Sequence, residues 1–93
     1  MSFEIKHDSD AGRFYADIDG SIAHLDYVRV DERTLDLRHT YVPEALRGRG
    51  LAGQIVRFAL TYARENSFKV IPTCSYVAAT LQRDPSYSDI VVN

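Results

Sequence analysis

A single cysteine, Cys74, rules out any disulfide within the chain and suits a reducing compartment. No apolar run is long enough to span a bilayer, and the polar start Met1-Ser2-Phe3-Glu4 lacks a signal-peptide pattern. A cytoplasmic chain without membrane attachment is therefore expected. His7 and His24 have no partners at ligand spacing and there is no Cys/His cluster, so no metal is expected. Ser67 and Ser75 lack the setting of a nucleophile elbow. A net charge of −2 argues against a general nucleic-acid binder. No linker, repeat or low-complexity segment interrupts the 93 residues, which are 45% hydrophobic, so residues 1–93 read as one small domain with one core. Such a domain has no room for a second lobe. A substrate cleft has to be shared with a cofactor groove or built with a partner chain, and the oligomeric state stays open.

The charge that is present is unevenly spread. Residues 1 to 36 hold nine acidic and four basic side chains, whereas residues 37 to 69 hold two acidic and six basic ones. At the centre of the basic stretch lies Arg47-Gly48-Arg49-Gly50-Leu51-Ala52. From Leu51 onward, Leu51, Ala52, Ile55, Val56, Ala59, Leu60 and Ala63 recur at three- and four-residue spacing, while Gln54, Arg57, Thr61, Arg64 and Glu65 take the other face. This period predicts a long amphipathic helix. Its first-turn N–H groups and positive dipole end would point into the Gly/Arg loop, a favourable place for a phosphate. By itself the loop also fits a plain strand-to-helix turn, with glycines at positive φ and solvated arginines.

Upstream, the first forty residues read as an antiparallel meander. Phe14, Ala16 and Ile18 alternate with Arg13, Tyr15 and Asp17, and Asp19-Gly20 makes a two-residue hairpin turn. The return strand, about Ser21 to Val30, carries Ala23, Leu25 and Tyr27 on one face, with a parity break near Val28 that suggests a bulge. A third strand comes next over residues 35–42, and its alternation puts His39 with Leu35, Leu37 and Tyr41. Beyond the long helix, Asn66-Ser67 is a stop and Phe68-Lys69-Val70-Ile71 a short strand, parallel to its neighbour because a helix intervenes. Thr73 is a candidate N-cap for a second helix of roughly ten residues that turns Val77, Ala78 and Leu81 inward and stops at Asp84-Pro85.

The pattern Arg-x-x-Gly-x-Ala in the loop, with Val42-Pro43-Glu44 before it and an amphipathic helix after it, resembles the acyl-CoA-binding motif of the GNAT superfamily of N-acetyltransferases. His39-Thr40-Tyr41-Val42-Pro43-Glu44, the loop, the helix and Lys69-Val70-Ile71-Pro72-Thr73-Cys74-Ser75-Tyr76-Val77 together are similar to the compact GNAT-like subgroup of about ninety residues. The resemblance covers residues 35 to 87 and the first strands in general shape. It implies an α/β fold with a mixed, mostly antiparallel sheet, one long crossover helix and a shorter C-terminal helix. Full-length members continue with two more strands, whereas Ser86 to Asn93 leaves room for one short strand or a tail.

The resemblance also implies a chemistry. Acetyl-CoA would be the cosubstrate and an amine, small molecule or protein, the acceptor. Arg47, Gly48, Arg49, Gly50, Leu51 and Ala52 would hold the pyrophosphate, and Val42 would pair its backbone with the pantetheine arm. Cys74, in the subgroup's Pro-x-Cys segment, would act at the thioester, either as an acyl acceptor or as the acid that protonates the departing thiolate. Packing as a small hydrophobe is the other role open to it. Tyr76 is a rival acid. His39 and Glu44 are the candidate proton acceptors; the subgroup often has glutamate where this chain has Tyr41, and His39, a water chain or an acceptor arriving already deprotonated would compensate. The sequence is thus compatible with an acetyltransferase, with an acyl-CoA-binding regulator without turnover, and with an interaction module whose basic helix face binds an acidic partner.

Overall fold

The computed structural model describes residues 3–92. Five strands, β1 (Lys6–Asp8), β2 (Arg13–Ile18), β3 (Ser21–Asp31), β4 (Thr34–Tyr41) and β5 (Lys69–Ile71), form one sheet in sequence order, antiparallel except for β4–β5. Between β4 and β5 come a 3-10 turn (Glu44–Leu46) and helix α1 (Leu51–Glu65); after β5 come α2 (Ser75–Arg83) and a second 3-10 turn (Pro85–Ile90). The expected α/β architecture with its mixed sheet is present.

The β2–β3 hairpin closes as its turn residues require. Asp19 (φ 53°) and Gly20 (φ 84°) are both left-handed, the backbone of a type I′ turn, and Asp17 Oδ1 accepts from the Gly20 amide at 3.0 Å. One face of the sheet, with Phe14, Ala16, Ala23, Leu25, Leu35 and Leu37, is buried. Against it packs the apolar stripe of α1, in which Leu51, Ile55, Val56, Ala59, Leu60 and Ala63 are buried at the predicted spacing. Truncating Leu37 or Ile55 to alanine at this interface would cost about 2–5 kcal/mol.

One irregularity in the sheet decides which β4 side chains share a face. The pairs Asp26↔His39 and Tyr27↔Leu37 are successive rungs of the β3–β4 ladder, which leaves Arg38 as an extra residue on β4. A bulge shifts side-chain parity by one. Leu35 and Leu37 therefore face α1, whereas His39 is exposed and shares the opposite face with Asp26, and Tyr41 shares it with His24. The expected placement of His39 with Leu35 and Leu37 is thus corrected. The predicted break near Val28 corresponds to this bulge and to a second irregularity between Arg29 and Asp31.

Helix α1 ends in a Schellman arrangement: Phe68 N–H donates to Ala63 O, Ser67 N–H to Arg64 O, and Ser67 takes φ 61°. Helix α2 begins one residue later than a Thr73 cap would place it, because Cys74 is the N-cap and the Thr73 hydroxyl donates to Asp36 Oδ1 instead. Val77 is buried as expected and Thr80 joins it, while Ala78 and Leu81 are half-buried. Thr80 tolerates burial because its hydroxyl donates to Tyr76 O at 2.9 Å. The chain then returns to the sheet in a single parallel bridge, Val70↔Val91, with Val92 N–H on Val70 O at 2.9 Å.

Candidate functional site: the loop at the start of helix α1

The loop is assembled from backbone constraints. Val42 follows β4, Pro43 N-caps the 3-10 turn, and Arg47 N–H donates to Glu44 O at 3.2 Å. Gly48 (φ 82°) and Gly50 (φ 74°) then take left-handed conformations that side chains resist, and Gly50 is the N-cap of α1. The first amide of the helix to find a backbone acceptor is Gln54, on Gly50 O at 3.2 Å. The N–H groups of Leu51, Ala52 and Gly53 are left for something outside the helix. No acidic side chain occupies this first turn and no capping side chain bonds to it. The positive end of the helix dipole is therefore uncompensated, which favours an anion.

A cavity of about 210 Å³ opens beside this turn, lined by Val42, Leu46, Arg47, Gly48, Gly50, Leu51, Ala52 and Tyr76. It gathers every residue expected to hold the cofactor except Arg49, which is exposed on the loop outside the lining. Arg47 is tied down, its Nε donating to Val42 O at 3.0 Å, so the guanidinium braces the strand end against the loop and uses the Val42 carbonyl. Tyr76 reaches back from α2, and a Cβ built on Gly53 would stand 3.6 Å from its hydroxyl. The phenol thus closes the cavity against the first turn of α1. A larger depression of about 540 Å³ among Arg29, Glu32, Arg33, Asn66 and Ser67 lies at the other end of α1, where the carbonyl end of the dipole disfavours an anion.

Cys74 sits between β4 and α2. Its amide donates to Leu37 O at 2.8 Å, and its buried thiol lies 3.3 Å from Thr40 Oγ1. The side chain makes no cap bond to the first turn of α2, so its polar contact is the Thr40 hydroxyl rather than the helix amides. The β4–β5 ladder ends at Asp36↔Ile71. Beyond that rung, among the described residues, no strand pairs with the β4 edge from Arg38 to Tyr41 on the β5 side, and buried Cys74 follows β5 there without lining the cavity. His39 is on the far face of β4, separated by the strand from Cys74 and Tyr76. Glu44 opens the 3-10 turn.

Two arrangements were not expected from sequence. The outer face of the sheet carries a polar cluster in which Asp26 Oδ1 accepts from Arg13 Nε at 2.7 Å and from His24 Nδ1 at 3.1 Å. Cross-strand register, invisible without the hairpin pairing, creates it. The basic face of α1, where the Arg57 and Arg64 side chains stay 49% and 41% exposed, is also met by acidic groups of the chain itself. Arg57 pairs with Asp84 and Arg64 with Asp89, each at 2.6 Å, so the C-terminal turn of the same chain engages it. Among the described residues, no group of three or more His, Cys, Asp or Glu side chains is placed to hold a metal ion, and no helix is long and apolar enough to cross a membrane.

A mixed sheet with a short parallel β4–β5 ladder, next to a helix start set by two left-handed glycines, is the arrangement of the GNAT fold. Residues 13–90 match the family described as GCN5-related N-acetyl-transferase, and the chain belongs to that family. It is similar to the protein NATD1 of Xenopus tropicalis, 34% identical over 86 residues that cover 90% of this chain and 79% of that one. The human protein NATD1 is 35% identical over 83 residues, covering 87% and 74%. The solution structure of a GCN5-like protein from Staphylococcus aureus superposes with a TM-score of 0.75 at 30% identity, covering 98% of this chain and 89% of that one. The family and the fold are those of acetyl transfer.

Proposed function

We propose that the protein transfers an acetyl group from acetyl-CoA to an amine in a cytoplasmic setting, with the α1 loop as its pyrophosphate site. The observation that carries the reading is the first turn of α1: three amides without helix acceptors, two left-handed glycines and no acidic side chain, facing a cavity. Leu51, Ala52 and Gly53 donate to phosphate, and Arg47 and Arg49 add positive charge. Val42 and Tyr76 wall the path from the loop to the gap between β4 and α2. Cys74 stands at the thioester end, where it either accepts the acyl group or protonates the sulfur as the new C–N bond forms and the C–S bond breaks. The gap opens onto an uncovered sheet face, a geometry that suits a large acceptor.

Calorimetric titration with acetyl-CoA tests the phosphate site. Gly48→Ala and Gly48→Glu share the strain of a side chain at φ 82°, and a Cβ there meets no atom within 4 Å. Gly48→Ala should weaken binding by no more than about tenfold, a backbone effect on the order of 1 kcal/mol. Gly48→Glu adds a carboxylate at the anion site and should abolish binding while circular dichroism stays native. Equal affinities for the two variants would remove the loop from the cofactor site.

A further inference from the structure

We infer that His24, held by Asp26 and Arg13 on the uncovered face of the sheet, is the group that takes the proton from the acceptor amine. The inference rests on the acetyltransferase reading above. An amine at neutral pH is largely an ammonium, and it attacks a thioester only after losing a proton. On β4, Tyr41 offers a phenol, a type of group that keeps its own proton at neutral pH and so is unsuited to accept another.

The geometry supplies an alternative one strand away. Asp26 as a carboxylate only accepts hydrogen bonds, so the 3.1 Å contact puts a proton on His24 Nδ1, and in the neutral ring the lone pair is then on Nε2. Arg13 Nε holds the same carboxylate oxygen at 2.7 Å and Nη2 reaches the other at 3.4 Å, which fixes Asp26 from the β2 side. Among the described residues, His24 Nε2 has no hydrogen-bond partner. The His24 side chain is only 16% exposed, so its ring is held rather than free in solvent. This is the carboxylate–imidazole pairing that orients a proton-accepting nitrogen.

The ring lies on the open face of the sheet, one strand in from β4. Tyr15 and Tyr41 are its cross-strand neighbours, and its centroid is 5.7 Å from that of Tyr41 and 6.2 Å from that of His39. His39 and Tyr41 flank Thr40, whose hydroxyl meets the Cys74 thiol through the strand's other face. His24, His39 and Tyr41 thus stand side by side on the open face, across β4 from Cys74, and an acceptor entering from that face meets all three. The step balances: the ammonium N–H bond breaks and an N–H bond forms at His24 Nε2. Asp26 and Arg13 are positioning residues.

Thiol release from acetyl-CoA, measured with primary amines that span strongly to weakly basic, tests this. His24→Gln should lower kcat/KM for strongly basic amines by about 10²–10⁴-fold, while leaving the acetyl-CoA affinity measured by calorimetry unchanged. The deficit should shrink for weakly basic amines and at pH values above the amine's own pKa, because those acceptors arrive deprotonated. Asp26→Asn, which can still accept from Nδ1, should show the same pattern at smaller amplitude. A deficit equal across all amines, or no deficit, overturns the proton-acceptor role and leaves the transferase reading standing. Acetyl-CoA binding without amine-dependent thiol release in the unaltered protein overturns both.

Discussion

At the scale of single residues, the decisive position is Cys74. Its amide is committed to Leu37 O and its thiol to the Thr40 hydroxyl, so the side chain has one polar contact and little room to turn. The hydroxyl contact fits a packed thiol as well as a reactive one, and a Cys74→Ser variant separates the roles. Serine preserves the contact to Thr40 but is a far weaker acid and nucleophile at neutral pH. Amine-dependent turnover should fall by about 10²-fold or more with acetyl-CoA affinity near that of the unaltered protein. Mass spectrometry of the unaltered protein after incubation with acetyl-CoA then tells acyl acceptor from acid, since only the first leaves an acetyl group on Cys74. Equal turnover in the two proteins would make the cysteine a packing residue.

At the scale of elements, helix α1 does two jobs with two surfaces. Its start is kept free of acidic groups, and its flank is bound by the chain's own C-terminal turn. Arg64 donates to Asp89 Oδ1 and to Ser86 O and lies 4.8 Å over the Tyr87 ring, while Lys69 Nζ donates to Asp89 O at 2.6 Å. These bonds hold the carboxyls below their usual range, Asp89 mainly through Arg64 and Asp84 through the Ser86 hydroxyl and then Arg57. The clasp is therefore complete above the ordinary carboxylate range and loosens as the pH falls through the depressed values. Because Arg57, Arg64, Lys69 and Asp89 are all exposed, its effect should be local. Arg64→Ala should raise hydrogen exchange at Val92 N–H by about tenfold and leave Tm nearly unchanged; unchanged exchange would mean the bridge to Val70 holds the turn alone. The helix itself was legible in sequence because its apolar period is unbroken for four turns, and the Asp19-Gly20 hairpin because its φ values admit few residues. The bulge at Arg38 was not, since alternation from Leu35 and Leu37 extrapolates smoothly through His39 and Tyr41. Only the return of Thr40 to the helix side marks the slip, and that depends on register with β3.

At the scale of the molecule, a sheet covered on one side must keep its edges in place with few contacts. Strand β1 is three residues long, and His7 anchors it: the ring stacks on Phe14 at 4.2 Å, meets Tyr62 edge-on at 4.5 Å, and Nε2 lies 2.6 Å from the Tyr27 hydroxyl. The loop before β2 adds a backbone constraint, since Gly12 (φ 69°) brings its Cα so near the sheet that a Cβ would come within 2.5 Å of Tyr27 O. The α1 loop was readable from a short contiguous motif. This edge was not, because His7, Phe14, Tyr27 and Tyr62 meet only after four elements have come together. Burial lowers the His7 pKa from its ordinary 6.5, outweighing the opposite pull of Asp8. The folded protein thus takes up a proton on His7 less readily than the unfolded chain. Stability from the neutral ring is fully present above 6.5 and is lost as the pH falls through the window between that value and the lower folded one. Thermal melts across mildly acidic pH should show Tm declining in the unaltered protein and a flatter curve for His7→Phe, which keeps an aromatic ring but cannot titrate. Parallel curves for the two proteins would place the acid sensitivity elsewhere and leave His7 as a packing ring alone.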